Sequence, residues 1–171
     1  ASWEQAKKVG GVFYNEQNQG QNIPPSMPNK SNTPQQNQQI KSNLMGIFTS
    51  TIVNKYDNFF DGIDSQPDAL NKYAPINYIL PGDRQIIVGT LRRLVADLNK
   101  FTNQLGNIPD RNAMARILAQ ITVAISISNS VAQNLANRKI NTYSQLKGGL
   151  TTGKNSVAVR IKNVLQEIQN V

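Results

Sequence analysis

Cysteine and histidine are both missing from this chain of 171 residues. Without cysteine the chain has no disulfide framework and no thiolate ligand for a metal. Without histidine it lacks the commonest general base and the commonest metal ligand, so any chemistry would depend on carboxylates, lysine, tyrosine, serine or threonine. We therefore predict that the protein is not an enzyme, has no catalytic residue, and uses no cofactor, metal or small-molecule substrate.

Acidic residues are scarce: 10 Asp and Glu stand against 18 Lys and Arg, which gives a net charge of +8. Such a balance favours polyanionic partners, such as nucleic acid or an anionic membrane surface, although many small basic proteins bind neither. Long hydrophobic runs are also missing, because none approaches the roughly 18 residues of a membrane span. No signal peptide is visible, and Ala1 follows either a removed initiator methionine or a processing site.

The first quarter of the chain has too few apolar residues to fold by itself. Residues 19–39, "QGQNIPPSMPNKSNTPQQNQQ", contain four prolines and only Ile23 and Met27 as apolar side chains. Such a segment cannot offset the entropy lost on ordering, so we expect partners to hold it. Ser2 and Gln5 form a capping-box pattern that predicts a short helix near the start. We therefore divide the chain into an extended basic arm, residues 1–39, and a helical domain, residues 40–171.

Apolar residues recur at three- and four-residue spacing through four later segments, which predicts helices. The first runs from Ile40 to about Gly62, and the second from Asp83 as N-cap to Gly106. The third starts at Asp110 and reaches about Leu135, although "ITVAISIS" within it also alternates like a strand. Its predicted apolar face consists of Met114, Ile117, Leu118, Ile121, Ile125 and Leu135. The fourth follows a connection over 138–154. We predict an all-α fold, a four-helix bundle with an extended N-terminal arm that contains a short helix.

Two short patterns resemble ligand sites. "GGLTTGKN", residues 148–155, matches the start of a phosphate-binding loop, but Asn155 stands where a Ser or Thr should hold Mg²⁺ and no good strand precedes it. We interpret it as a turn before a helix. The second pattern is a group of four acidic residues: Asp57, Asp61, Asp64 and Asp68. They lack the residue order of a calcium-binding loop. We predict that they form a solvated acidic edge, or a surface that attracts a basic patch of a neighbouring subunit.

Basic residues are unevenly distributed. Six of them fall between residues 138 and 162 with no acid among them, and no acid lies between Glu16 and Asp57. One interpretation is a solvated basic loop; the other is contact with phosphate, which Lys and Arg make without reading sequence. Our candidates for contact with a nucleic-acid backbone are Lys7, Lys8, Lys30 and Lys41, followed by Arg92, Arg93, Arg138 and Lys139.

A basic arm joined to a helical domain without catalytic residues resembles the major coat proteins of filamentous and rod-shaped archaeal viruses. The resemblance covers that plan and the segment "YILPGDRQIIVGTLRRLVADLNKF", residues 78–101. There a Gly/Pro turn, an acidic residue and an arginine open a helix rich in basic and apolar positions. The resemblance implies that four-helix bundles form an outer shell, while the arms of paired subunits wrap linear double-stranded DNA in A-form.

On this interpretation the chain is a virion protein that binds the backbone of double-stranded DNA and copies of itself or a paralogous coat protein. Whether a membrane envelope surrounds the particle stays open. Two other classes also place an arm among partners: a cementing protein of a capsid, and an extrinsic four-helix subunit of a large membrane assembly, such as the lumenal photosystem II subunits. Only the coat interpretation requires DNA.

Overall fold

The computed structural model describes residues 34–68 and 76–171, and within these ranges the chain is mostly helical and has no strand. The predicted all-α class is confirmed. The helices are α1 (Pro34–Phe48), α2 (Asn54–Asp64), α3 (Pro81–Thr102), α4 (Arg111–Ala136), α5 (Tyr143–Leu150) and α6 (Val157–Gln169). The predicted helix near Ser2 and most of the arm lie outside the described residues.

The core forms around α4, which packs against α3 on one side and α6 on the other. The predicted apolar seam is buried along its whole length, from Ile87 to Phe101 in α3 and on to Leu105 in the 3₁₀ turn that follows. On α4 the prediction was wrong at Leu118, which is 40% exposed, because it lies beside the seam of Ile117 and Ile121 rather than on it. Asp110 caps α4 as expected, since its carboxylate accepts hydrogen bonds from the next helical amides.

By length and composition, α4 is apolar enough to cross a membrane. No unbroken apolar run in the sequence indicates this property, because Thr, Ser and Asn are scattered among the aliphatic residues of α4. A central core helix has the same composition, and the seam of α4 is fully buried at Ile117, Ile121 and Leu135.

A π turn, Thr49–Val53, joins α1 to α2 in one continuous helical stretch. The buried residues Leu44, Phe48, Ile52, Tyr56 and Phe60 follow at intervals of four. In an α-helix each such interval advances the side chain about 40° beyond a full turn, so the seam would wind away from the core. One wider turn takes up much of this drift and keeps both ends of the stretch facing the core.

Several element boundaries differ from the predictions. The first helix begins at Pro34 rather than Ile40, and α3 begins at Pro81 rather than after Asp83, because proline at the first helical position is preorganised for the helix. Asp83 is therefore in the first turn of α3 and not its N-cap. The same helix ends at Thr102, before Gly106, and a single 3₁₀ turn follows it. The division between residues 39 and 40 stays a prediction.

The connection predicted over 138–154 contains a helix, α5. Thr142 and Gln145 form a complete capping box at its start, in which each side chain accepts a hydrogen bond from the other residue's backbone amide. The prediction was wrong because two helical turns are too short to show a periodic apolar seam.

Before α3 the chain runs extended over residues 76–80 and pairs with residues 141–143. The Ile79 amide donates to the Asn141 carbonyl at 2.9 Å, and the Tyr143 amide donates to the Asn77 carbonyl at 3.0 Å. Alternate side chains therefore point to opposite sides, so Asn77 and Ile79 are buried while their neighbours face outward. This pairing fixes the start of α3 against the end of α4.

Candidate nucleic-acid interface

Arg84 connects the first turn of α3 to the last turn of α4. Its guanidinium donates to the carbonyls of Leu135 and Ile140 at 2.7 and 2.6 Å, and to the side-chain oxygen of Asn141 at 3.0 Å. The last carbonyls of a helix lack partners within the helix and carry partial negative charge, so a cation stabilises them. Arg84 thus holds together the region where the candidate interface lies.

The end of α4 places Arg138 in an unusual backbone conformation. The Arg138 amide donates to Leu135 and the Lys139 amide to Asn134, the two hydrogen bonds of a Schellman motif. The motif requires a left-handed residue, which is usually glycine, and here Arg138 has φ 61°. The Asn141 side chain donates to the Arg138 carbonyl and keeps this turn in place.

A groove of about 410 Å³ separates the start of α3 from the end of α4. No acidic residue lines it; its lining consists of Pro81, Arg84, Gln85, Val88, Gly89, Ala136 and Arg138. We refer to it as the basic groove. Gly89 lies in the interior of α3, where glycine is less favourable than alanine by roughly 0.5–1 kcal/mol. A Cβ there would make only an ordinary contact with the Arg93 guanidinium at 3.6 Å, so packing does not demand glycine.

Several predicted contact residues meet around this groove. Arg138 lines it, and Lys139 is the next residue, also exposed. Arg93 folds back along α3 towards Gly89 and donates to the Thr90 hydroxyl at 3.0 Å. Arg92 is exposed one turn beyond Val88. Within the described residues, Arg92, Arg138 and Lys139 have no ion-pair partner.

Other predicted residues are not brought to the groove. Lys41 is half-buried on α1, which packs on α6, while Lys7, Lys8 and Lys30 lie outside the described residues. Sequence reasoning missed Arg84, because its role depends on carbonyls 51 and 56 residues away. The "PGDR" turn was the local signal, since it places a long cation within the first turn of a helix.

The remaining bases between 138 and 162 are mostly engaged within the chain. Lys147 pairs with Asp68 at 3.2 Å. Arg160 donates to the side chains of Gln120 and Asn155, which links α6 to α4 and to the preceding turn. Lys162 shares a depression of about 260 Å³ with Asp57, Asp61 and Asp64. Lys147 and Lys162 thus lie beside acids and Arg160 is hydrogen-bonded within the chain, whereas Arg138, Lys139 and Lys154 are exposed without an ion-pair partner among the described residues.

The "GGLTTGKN" segment is not built as a phosphate-binding loop. Gly148 and Gly149 lie inside α5, with no strand before them, and the turn that follows leads into α6. Close packing requires glycine at two positions of this segment. A Cβ on Gly149 would lie 2.8 Å from the Val131 side chain, and a Cβ on Gly153 would collide with the Gly148 carbonyl. Close packing explains the motif without a ligand.

The acidic side chains of α2 show no metal-binding geometry. Within residues 34–68 and 76–171, no group of three or more acidic side chains is placed to hold a metal ion. Asp57, Asp61 and Asp64 instead border the depression that contains Lys162, and Asp68 pairs with Lys147. They form an acidic edge beside basic side chains.

A polar cluster between α2 and α3 perturbs two pKa values. Asp97 accepts hydrogen bonds from Lys55 at 2.7 Å and from the Tyr56 hydroxyl at 2.6 Å. Burial acts to raise the pKa of Asp97, but these hydrogen bonds and the Lys55 charge outweigh it and leave the pKa below its usual value. Burial and Asp97 raise the pKa of Tyr56. At neutral pH Asp97 is therefore ionised and Tyr56 is protonated, and the pair serves as a structural link between α2 and α3.

Compared with known proteins, the chain matches no family model, no curated protein and no solved structure. Its function must therefore be argued from its own residues. The basic groove combines exposed cations with a lining that contains no acid. It also contains two residues that backbone stability alone does not favour at their positions, Gly89 and Arg138.

Proposed function

We propose that this protein is a structural coat subunit that binds the backbone of double-stranded DNA without reading its sequence, and that it resides in a virion. The observation that carries the proposal is the basic groove between α3 and α4. Gly89 and Arg138 both depart from the residue that local backbone stability would favour, and both line this groove. Such departures are expected at functional sites, where another requirement competes with stability.

The groove suits phosphate better than a base edge or a small molecule. Arginine presents several donors in a fixed plane, which matches phosphate oxygens. Gly89 and Ala136 keep the floor low, so that a backbone could approach closely between Arg138 and the α3 cations. Interactions of this kind position a protein on a duplex and carry no sequence information.

The proposed architecture is a four-helix bundle with an extended basic arm over residues 1–39. The continuous α1–α2 stretch would supply one helix of the bundle, and α3, α4 and α6 the other three. In this arrangement the arm would add Lys7, Lys8 and Lys30 to the phosphate-binding residues of the groove, and assembled copies would enclose the DNA. Neither catalysis nor a cofactor is part of the proposal.

The test is DNA binding as a function of salt, measured with the whole chain on random-sequence duplex. Removing one cation from a phosphate reduces the steepness of log K against log salt by about 0.9. We expect this reduction for Arg92→Ala and for Arg138→Gly, while Arg138→Lys retains most of the slope. Lys100→Ala is the matched control, because Lys100 is exposed on the same helix about 16 Å beyond Gly89.

Three results would contradict the DNA proposal. Binding without salt dependence would exclude a phosphate interface, and an equally reduced slope in Lys100→Ala would show that overall charge acts rather than the groove. Sequence preference between unrelated duplexes would contradict the absence of base readout.

A second candidate is a cementing or extrinsic subunit that binds protein only. It is favoured by an exposed apolar surface around Tyr78 and Ile86, which are 61% and 65% exposed. The two candidates differ in the nucleic-acid content of the native assembly. An absorbance ratio at 260 and 280 nm that falls after nuclease treatment supports the coat function, whereas an unchanged, protein-like ratio supports the second candidate.

A further inference from the structure

Four large apolar side chains between residues 76 and 86 project into solvent. Within the described residues only one other large apolar side chain, Leu118, is comparably exposed. We call the four the apolar ridge: Ile76 at 46%, Tyr78 at 61%, Leu80 at 64% and Ile86 at 65% exposure. With about 150–250 Å² for each large side chain, these fractions correspond to roughly 400 Å² of exposed surface, a size that often marks an interaction site.

The ridge cannot be buried by a local adjustment. Three of its members alternate with Asn77 and Ile79, which are buried, and the backbone between them is pinned to residues 141–143. Shifting this segment by one residue would expose Ile79 and bury its neighbours at the cost of both backbone hydrogen bonds. The outward position of the ridge is therefore a fixed property of the fold.

Beside the ridge lies a shallow groove of about 280 Å³ between α2 and the start of α3. Ile86 belongs to both features, since it is exposed and also lines this groove. Aromatic and aliphatic side chains form much of the lining, among them Phe59, Ile63, Ile87 and Tyr143. One face of the molecule thus presents an apolar projection and an apolar depression side by side.

Among the described residues, no Lys or Arg lines this groove. The groove contains one charged side chain, Asp83, which accepts a hydrogen bond from the Tyr143 hydroxyl at 3.3 Å. Two copies of a protein with net charge +8 repel each other, and the repulsion is smallest where no Lys or Arg lies at the contact. The basic groove lies on the other side of α3, so it would stay accessible.

We propose that the apolar ridge and the adjacent groove bind a second copy of this chain across a two-fold axis. The ridge of each copy enters the groove of the other, and Ile86, which belongs to both, lies near the axis against its own counterpart. The two ridges alone would bury about 800 Å², so the two grooves that receive them would have to supply the rest of the roughly 1,200–2,000 Å² of a stable interface. The inference deepens the proposed coat function, because a coat needs subunits that bind one another.

The experiment uses nucleic-acid-free protein at high salt, so that its outcome does not depend on DNA binding. Sedimentation over a range of concentrations should show the whole chain approaching twice the monomer mass. Ile86→Lys should weaken the dimerisation constant at least about tenfold, because it buries a charge at the centre of the contact. Leu118→Lys is the matched control and should dimerise as the unaltered chain does. Circular dichroism checks that both variants are folded.

The absence of cysteine allows a second measurement. Oxidised Ile86→Cys should form a covalent dimer at concentrations where Leu118→Cys does not. Equal cross-linking of the two variants, or a chain that stays monomeric at every concentration, would overturn the proposal. Protection of Ile86→Cys from a maleimide in a monomer would also overturn it, and would assign the ridge to the chain's own arm. None of these outcomes affects the salt dependence of DNA binding, so the dimer proposal and the proposed function can fail separately.

Discussion

Arg138 occupies a backbone position that glycine fits best, and this has a measurable consequence for stability. Its φ of 61° lies in the left-handed region, where a side chain with a Cβ is strained. We expect Arg138→Gly to raise the free energy of unfolding by about 0.5–1 kcal/mol, since it relieves this strain, although it adds entropy to the unfolded chain. Arg138→Lys should leave stability unchanged, because it keeps the Cβ. Denaturant unfolding measures both, and a destabilised Arg138→Gly would show that the side chain holds the turn.

Two fully buried serines should respond oppositely to the same substitution. The Ser128 hydroxyl on α4 has no hydrogen-bond partner within the described residues, whereas Ser156 caps α6 by accepting from the Val159 amide. Ser128→Ala removes an unpaired polar group, so we expect a neutral effect or a gain of up to about 1 kcal/mol. Ser156→Ala should cost about 1 kcal/mol. Thermal unfolding of the two variants compares them directly, and destabilisation of both would mean that the Ser128 hydroxyl has a role.

Tyr56 and Asp97 predict a dependence of stability on pH at both extremes. The pKa of Asp97 is below its ordinary 3.8 in the folded state, so its contribution is present above that value and is lost as the pH falls through the folded pKa. The pKa of Tyr56 is raised above 10.0, so its contribution is complete below pH 10 and is lost as the pH rises through the folded pKa.

Tyr56→Phe tests this pair. It removes the hydrogen bond to Asp97, so we expect a loss of about 1–2 kcal/mol at neutral pH. It should also remove part of the decline in stability at alkaline pH. Unfolding measured between neutral pH and pH 11 provides the comparison, and an unchanged alkaline limb would assign the decline to other groups.

At the scale of elements, the sequence predicted those helices that present a long apolar seam. Helix α3 has 22 residues, and its apolar seam left no ambiguity about a helix. The strand-like "ITVAISIS" is helical because α4 buries Ile121, Ala124 and Ser128 on one face. Where seams are short or polar, prediction failed: α5 has only two turns, and the first residues of α1 are mainly glutamine. The π turn has no local signal, since it corrects a drift that only the assembled core defines.

The capping box of α5 gives a test at this scale. Thr142→Ala removes the acceptor of the Gln145 amide, so we expect a loss of about 1 kcal/mol, centred on α5 and on the neighbouring pairing with residues 76–80. Hydrogen exchange should become faster at the Tyr143 and Ile79 amides before the rest of the core changes. Uniformly faster exchange would instead show that α5 unfolds only together with the whole molecule.

At the scale of the whole molecule, the excess of basic residues indicated a polyanionic partner, and the structure shows which of these residues lie close together. Arg93 and Arg138 border one groove although 45 residues separate them, and this proximity follows from the packing of α3 on α4. The acid-free region itself offers no physical reason to prefer Arg138 to Lys147 or Arg160, which the structure shows engaged within the chain. Sequence alone could not assign a role to Arg84 either, because its partners lie at the end of α4 and in the residues that follow it.

The arm provides a prediction for the whole chain. A chain that starts at residue 34 keeps all of α1, including the buried Gln36, whereas a cut after residue 39 would remove the first turn and a half. We expect the chain lacking residues 1–33 to keep its helical circular dichroism and cooperative melting, because the described residues contain a continuous buried apolar core of their own. It should bind duplex DNA with a shallower salt slope. Loss of cooperative melting would mean that the arm is part of the core.

The π turn between α1 and α2 makes the molecule tolerant of a shorter chain at one place. Deleting Ser50 or Thr51 would let the turn close as an ordinary α-helix, with no broken backbone ladder. The five residues of the turn rotate about as far as four residues of an α-helix, so Ile40 and Leu44 would still face α6. A reading-frame-neutral loss of three nucleotides here would thus leave the fold in place, whereas the same loss inside α1 would rotate everything before it by about 100°.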